Sequence, residues 1–228
     1  SGFIIAYNYL GKINSTEELI LFQKKRFYRL YPLHLLTLIF FIFIEVLKLL
    51  AIKYTTFEPT YMPFDSFNNY YSLVSNFFLL LGLYGWSFNL PSWLLSTEFY
   101  TYLLFALIVY KFINQNKIFY LLIFLSLVIF LLEHNGLESL KNFIYPTRCI
   151  YSFFIGVLTY CFFRKYYKTV SYILPLIFLL LSLIFISKSH NLATNYRYIL
   201  APLFFALTIF FTANLKEDNF YYNILSNK

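Results

Sequence analysis

Residues 30–44 have the sequence LYPLHLLTLIFFIFI and contain no charged side chain. The apolar run continues to residue 52 and contains only two charges, Glu45 and Lys48. About 20 consecutive apolar residues are typical of a helix that crosses a lipid bilayer. Glu45 and Lys48 are three residues apart, so they lie on one helix face and can pair near one end of this span.

The composition agrees with a membrane protein, since 60% of the 228 residues are hydrophobic, 24% are aromatic and only 12% are charged. Soluble domains carry about 25% charged residues, and a soluble domain of this size could not bury so much apolar surface. Disordered chains are poor in aromatic residues, so disorder is excluded. Because the apolar runs are continuous, they favour helices over barrel strands. The sequence therefore predicts an all-α, polytopic transmembrane helix bundle.

Other uncharged segments predict the remaining spans, about seven to eight in total. They are residues 66–97, 99–110, 118–132, 149–163, 169–187 and 198–215. Neither end shows a signal peptide or a closing motif. We therefore expect residues 1–228 to form a single transmembrane domain that is truncated at both ends.

The Lys and Arg residues between the spans predict the orientation in the membrane. Residues 12–29 carry five of them, residues 164–168 three and residues 111–117 two, whereas residues 53–70 carry one. Basic connectors are enriched on the cytoplasmic side, so the first three segments are expected inside and residues 53–70 outside. This alternation requires an odd number of crossings between residues 66 and 110. Part of residues 71–90 is therefore expected to be re-entrant or to lie along the outer face.

The net charge of +8 resides in short clusters between apolar runs. That distribution fits membrane orientation, so nucleic acid is not an expected partner. Cys149 and Cys161 lack CxxC or metal-ligand spacing, and the three His residues are dispersed along the chain. No metal site is expected.

A first polar group, KKRFYRLYP at residues 24–32, precedes the first complete span. Arg26 and Arg29 are three residues apart, so on a helix both face one way and can bind phosphates. Pro32 is compatible with the first turn of a helix. The alternative is a simple positive anchor beside anionic lipid.

A second polar group, NLPSWLLSTEFYTY at residues 89–102, contains an ionisable side chain inside a span. With Pro91 opening the helix, Glu98 lies about 10 Å into it, a costly position that points to function. Thr101 and Tyr102 are one turn further and can hydrogen-bond to the carboxylate. The alternative is a structural Glu98 paired with a basic residue of another helix, for which Arg148 is a candidate.

These groups resemble signatures of the membrane-bound acyltransferase-3 family. Residues 26–32 match its Arg-x-x-Arg-x-x-Pro signature, and residues 93–98, WLLSTE, are similar to its Trp-Ser-Leu-Ser-x-Glu element, with Leu94 in place of the first Ser. The opening residues 1–5, SGFII, resemble a stretch of its second span, and residues 153–156, FFIG, resemble a later Phe-x-x-Gly pattern. Order and spacing agree over nearly the whole chain.

The resemblance implies a bacterial cell-membrane O-acyltransferase of about ten spans, which moves an acetyl or other acyl group from cytoplasmic acyl-CoA to a hydroxyl of a cell-surface glycan. It implies Glu98 and Ser96 as catalytic residues, Arg26 and Arg29 as the acyl-CoA site, and Trp93 at the acceptor site. Arg148, if not paired with Glu98, is a further candidate for acceptor binding.

The family's catalytic His lies in its first span, which is absent here, and His34 is not that residue. The 228-residue chain is therefore expected to be inactive alone. No bound cofactor is expected, since acetyl-CoA is the donor substrate. The bilayer, the acyl-CoA and the glycan acceptor are the expected partners. Two alternatives stay open, a non-enzymatic transporter or flippase of lipid-linked glycans and a glycan polymerase.

The orientation can be tested by cysteine labelling in intact cells, after Cys149 and Cys161 are replaced by Ser. A membrane-impermeant thiol reagent is expected to label Thr60→Cys and to leave Lys25→Cys unlabelled until the cells are opened. Labelling of Lys25→Cys but not of Thr60→Cys in intact cells would contradict the predicted orientation.

Overall fold

The structure is a computed structural model and describes residues 1–65, 68–81, 88–112, 115–134, 144–166, 173–187 and 194–215. The described residues form eight α-helices and contain no strand, which confirms the all-α prediction. The helices are α1 (Gly2–Tyr9), α2 (Thr16–Tyr54), α3 (Tyr70–Phe77), α4 (Trp93–Lys111), α5 (Gln115–His134), α6 (Ile144–Lys165), α7 (Ile173–Ser187) and α8 (Thr194–Ala213). A short 3-10 helix, Leu90–Ser92, precedes α4.

Three of the described helices are long and apolar enough to cross a membrane, namely α2, α4 and the segment Tyr145–Lys165 of α6. The apolar segments Asn116–Leu132, Ile173–Ser187 and Ile199–Ala213 have at most 17 residues each. Such segments are about 22–26 Å long, slightly less than the hydrocarbon core of a bilayer. The count of seven to eight spans therefore stays a prediction.

Helix α2 begins well before the predicted span. Its N-cap is Ser15, whose Oγ accepts a hydrogen bond from the Glu18 backbone N–H at 3.2 Å, and the Glu18 carboxylate accepts one from the Ser15 backbone N–H at 3.2 Å. This capping box satisfies two N–H groups that a helix start leaves unpaired. The expectation that Pro32 lies in a first turn is wrong, because Pro32 lies inside a helix of 39 residues.

The predicted pairing of Glu45 with Lys48 is confirmed, since Lys48 Nζ lies 2.7 Å from Glu45 Oε1. The same carboxylate also accepts hydrogen bonds from Asn68 Nδ2 at 2.9 Å and from the Phe64 backbone N–H at 3.3 Å. Glu45 is 3% exposed, and a buried carboxylate is stable only when it is paired and hydrogen-bonded in this way. The Glu45 carboxylate thereby attaches the connector after α2 to the side of that helix.

The chain divides into two compact units. The α2–α4 unit comprises Ile13–Phe112 and Glu138–Cys149, and the α5–α8 unit comprises Ser1–Lys12, Ile113–Leu137 and Ile150–Lys228. The single domain expected over residues 1–228 stays a prediction, and each unit is described by itself.

In the α2–α4 unit, α2 and α4 pack antiparallel through aromatic rings. The ring centres of Phe22 and Phe105 are 6.3 Å apart, and those of Phe27 and Phe99 are 6.2 Å apart. Contacts thus run backward along α4 as they advance along α2. This register places residue 26 level with the middle of α4.

Helix α3 has eight residues and is about 12 Å long, so it is too short to cross a bilayer. The C-terminal end of a helix leaves carbonyl groups that the helix itself cannot satisfy. Three side chains of α2 and α4 donate to consecutive carbonyl oxygens: His34 Nε2 to Asn76 at 2.8 Å, Tyr31 to Phe77 at 3.1 Å and Tyr100 to Phe78 at 3.3 Å. The re-entrant placement of residues 71–90 stays a prediction, and residues 82–87 lie outside the described part.

The chain leaves α3 through a Schellman turn. The Leu80 N–H donates to the Ser75 carbonyl at 2.8 Å and the Leu79 N–H to the Asn76 carbonyl at 3.2 Å. Leu79 occupies the left-handed position with φ +55°, which usually holds glycine. Its side chain is 2% exposed, so burial of the leucine offsets the backbone strain of about 1–2 kcal/mol.

In the α5–α8 unit, α1 and α6 approach so closely that glycine is required on both. A Cβ added at Gly2 would lie 1.9 Å from the Phe153 carbonyl oxygen, and one added at Gly156 would lie 2.9 Å from the Phe3 nitrogen. Small residues at such crossings allow the two backbones to touch. Phe3 then packs edge-on against Tyr160, with ring centres 5.7 Å apart.

Helices α7 and α8 pack antiparallel through stacked phenylalanines. The ring centres of Phe178 and Phe211 are 5.3 Å apart, and those of Phe185 and Phe204 are 5.1 Å apart. Tyr151 of α6 donates a hydrogen bond to the Ile199 carbonyl of α8 at 3.1 Å. The aromatic residues that dominate the composition therefore serve as the main contacts between helices.

We expect Gly156→Val to destabilise the protein by about 1–3 kcal/mol, because the backbone of α1 cannot yield to the added side chain. In mild detergent this corresponds to a fall of roughly 3–10 °C in Tm. Ser152→Val is the matched control, since Ser152 is exposed one turn earlier on the same helix. Equal Tm values for the two variants would contradict the close packing.

Candidate functional site

The site predicted from the sequence lies in the α2–α4 unit, and Arg26 is its central cation. Its guanidinium carbon lies 5.4 Å from the ring centre of Phe22 and 5.6 Å from that of Tyr102. Both distances allow cation–π attraction. Arg29 is exposed, one turn further along α2. The predicted pair is thus divided, with Arg26 against the rings at the α2–α4 contact and Arg29 accessible from outside.

Glu98 is hydrogen-bonded to the hydroxyl of Tyr102, four residues along the same helix. This confirms one of the two partners expected for the carboxylate. The other expectation is wrong, because Thr101 donates to the Thr97 carbonyl at 2.7 Å and lies 3.4 Å from Cys149 Sγ. Tyr102 therefore joins two predicted site residues, since its ring faces Arg26 and its hydroxyl binds Glu98.

Ser96 is 1% exposed, and its hydroxyl oxygen has no hydrogen-bond partner among the described residues. A buried polar atom without a partner is costly and calls for an explanation. Gln23 Oε1 is a second such atom, although Gln23 Nε2 donates to the Phe99 carbonyl at 3.4 Å. Both residues belong to the α2–α4 unit.

Trp93 and Arg148 both lie close to Tyr145, which the sequence did not indicate. The ring centres of Trp93 and Tyr145 are 4.5 Å apart, and the Arg148 guanidinium carbon lies 6.0 Å from the Tyr145 ring centre. The start of α6 thus contributes an aromatic ring and a cation beside the start of α4. The described contacts of Glu98 are with Tyr102 and do not include an ion pair with Arg148.

His34 is 2% exposed, and its partner fixes its tautomer. A carbonyl oxygen can only accept, so Nε2 carries the proton that binds the Asn76 carbonyl. Nδ1 has no hydrogen-bond partner within the described part of the chain. The described role of His34 is to hold the end of α3.

The geometry brings distant parts of the sequence together and adds residues that the motifs did not predict. Phe22 contacts Arg26, Tyr145 contacts Trp93 and Arg148, and Gln23 bonds to the carbonyl next to Glu98, yet none of the three belongs to a recognised pattern. Phe22 and Gln23 precede Arg26 by about one turn, so their shared helix face was a signal that could have found them. Nothing in the sequence could have indicated Tyr145, because its contact with Trp93 spans 52 positions.

Comparison with protein-family models, curated proteins and solved structures finds no match to this chain. The resemblance to the acyltransferase-3 signatures therefore depends on the quoted residues alone. Within the described residues, no group of three or more His, Cys, Asp or Glu side chains could hold a metal ion. The chemistry open to the site is that of its arginines, carboxylate, hydroxyls and rings.

Proposed function

We propose that this chain belongs to a membrane O-acyltransferase that moves an acetyl or other acyl group from cytoplasmic acyl-CoA to a hydroxyl of a cell-surface glycan. The proposal places it in a bacterial cell membrane, with a bundle of seven to eight spans in this chain. Arg26 and Arg29 bind the acyl-CoA phosphates, Ser96 and Glu98 act at the reacting hydroxyl, and Trp93 and Arg148 bind the acceptor.

The observation that carries the proposal is the pairing of the four motif-like segments. Arg26 of the first segment contacts Tyr102, which holds Glu98 of the second. Gly2 and Gly156, from the other two segments, touch through their backbones. Each contact lies within one unit and joins two motif-like segments that are far apart in sequence, whereas a chance resemblance to separate motifs gives no reason for them to pair.

The chemistry agrees with the charges in the site. Acyl-CoA carries several phosphate charges, which the guanidinium groups of Arg26 and Arg29 can bind through charge-assisted hydrogen bonds. In the transfer, the acceptor oxygen attacks the thioester carbonyl carbon and the carbon–sulfur bond breaks. The hydroxyl proton passes to a general base and then to the departing thiolate. A carboxylate such as Glu98 can orient that base or the acceptor hydroxyl.

A transporter or flippase of lipid-linked glycans is a second candidate, and α3 is the observation that favours it. Transporters bind substrates and coupling ions at helices that are interrupted within the membrane, and α3 is too short to cross a bilayer. Transfer of labelled acetyl groups to glycan in isolated membranes separates the two, because a transporter moves its substrate without forming an ester.

We expect Arg29→Ala in the full-length protein to reduce acetyl transfer at limiting acetyl-CoA about ten-fold or more, because a charge-assisted hydrogen bond contributes about 1.5–3 kcal/mol. Its exposed side chain should leave Tm unchanged. Arg26→Ala should lower both activity and Tm, because Arg26 also packs against two rings. Lys24→Ala, also at an exposed position, is the matched control. A variant with both Arg26→Ala and Arg29→Ala would contradict the phosphate-binding role if it transferred acetyl groups at the wild-type rate at all acetyl-CoA concentrations. The two arginines would then be a positive anchor beside anionic lipid.

Glu98→Gln is expected to reduce glycan acetylation about 100-fold while the amount of folded protein in the membrane stays normal. Glutamine keeps an oxygen that can accept a hydrogen bond from the Tyr102 hydroxyl, but it removes the negative charge. If Glu98 instead neutralised a buried cation, the protein level would fall as well. Arg148→Gln would then restore both level and activity, and such a rescue would exclude a catalytic role. Glu58→Gln, at an exposed position, is the control.

A further inference from the structure

The α5–α8 unit contains an apolar groove of about 710 Å³ that none of the motifs accounts for. Helices α5, α6 and α8 form its walls, and nearly all the atoms that line it are apolar. Apart from three tyrosines, Thr159 is the one lining residue with a polar side chain. Its hydroxyl donates to the Ile155 carbonyl at 2.8 Å. The groove therefore offers a ligand almost only apolar contacts.

The groove follows α6 along much of its length. The lining residues of α6 share one helix face, which Tyr166 continues directly after the helix: Tyr151, Ile155, Leu158, Phe162 and Tyr166. From the first to the last, this face extends about 22 Å. One leaflet of a bilayer core is about 15 Å deep, so the groove is long enough to hold a lipid tail over its whole depth.

The two ends of the groove differ in charge. At one end, Tyr151 bridges to the Ile199 carbonyl of α8 and packs edge-on against Phe130, with ring centres 5.7 Å apart. At the other end, Tyr166 lies beneath Lys165, whose Nζ is 5.0 Å from the ring centre. Arg164 is the neighbouring residue in the last turn of α6, and both cations are exposed.

A third cation lies on the first turn of α5, at the same end of the groove. Asn116 Oδ1 lies 3.7 Å from Cys161 Sγ, which places the start of α5 beside the last turns of α6. Lys117 follows Asn116 and precedes the lining residue Tyr120 by three positions, so it shares a helix face with Tyr120. An apolar groove with cations at one mouth complements a molecule that has an apolar tail and an anionic head.

We propose that this groove binds one acyl tail of an anionic phospholipid, whose phosphate is held by Arg164 and Lys165 with Lys117 nearby. The connector after α6 is predicted to be cytoplasmic from its basic residues, and anionic lipids are concentrated in the cytoplasmic leaflet. The bound lipid is thus part of the α5–α8 unit and differs from the lipids that merely surround the protein. This site is independent of the acyltransferase proposal.

Native mass spectrometry of the detergent-extracted protein tests the site, with phosphatidylglycerol and phosphatidylethanolamine added in turn. The wild type is expected to retain one phosphatidylglycerol and to bind phosphatidylethanolamine more weakly. The variant with both Arg164→Gln and Lys165→Gln should lose about 25-fold in affinity for phosphatidylglycerol, roughly five-fold for each charge. Lys111→Gln, at the exposed end of α4, is the matched charge control.

Ala206→Phe tests the groove itself, because Ala206 lines it and a phenyl ring there occupies the space of the tail. It should abolish retention of phosphatidylglycerol, whereas Ser152→Phe, at an exposed position on α6, should not. The charge variants keep the test valid if Ala206→Phe fails to fold. Equal binding of both lipids, or unchanged binding by the charge variants, would overturn the proposal. Displacement of the lipid by palmitoyl-CoA at equal concentration would also overturn it and assign the groove to the acyl donor.

Discussion

The hydrogen bonding of backbone carbonyls at the end of α3 is the constraint on which the α2–α4 unit depends. In an apolar environment no water is present to satisfy a helix end, and each unpaired group costs several kcal/mol. His34, Tyr31 and Tyr100 supply the three donors. These side chains must come from two helices at one level, which fixes how α2 and α4 stand beside α3. The polar residues of this unit are therefore positioned first by the needs of the backbone.

The same register accounts for the environment of Arg26. Because α2 begins at Thr16 and not near Pro32, residue 26 lies beside the middle of α4. A guanidinium at that level needs compensation, which the rings of Phe22 and Tyr102 provide. Tyr102 is engaged on both sides, since its hydroxyl binds Glu98. A charge on one helix and an acid on another are thus linked by a single ring, which is a rigid arrangement well suited to positioning a reactive group.

The two compact units differ in the kind of residues that form their contacts. The α2–α4 unit contains the predicted site residues Arg26, Ser96 and Glu98, whereas the α5–α8 unit is held by stacked phenylalanines and a glycine contact between backbones. Stacked rings and close backbones need no water and are stable in lipid. They also leave space between rigid helices, as in the groove beside α6.

The helical class, the pairing of Glu45 with Lys48 and the hydrogen bond of Glu98 with Tyr102 could be predicted from the sequence, because all three depend on neighbours within one helix. The start of α2 was predicted wrongly near Pro32, although the capping-box spacing of Ser15 and Glu18 was a local signal that could have located it. Three features became visible in the folded chain alone: Arg26 faces Tyr102 while Arg29 does not, Tyr145 contacts Trp93, and His34 bonds to the end of α3. Such contacts join residues some 40 to 80 positions apart, and they follow from helix register and packing, which local patterns do not encode.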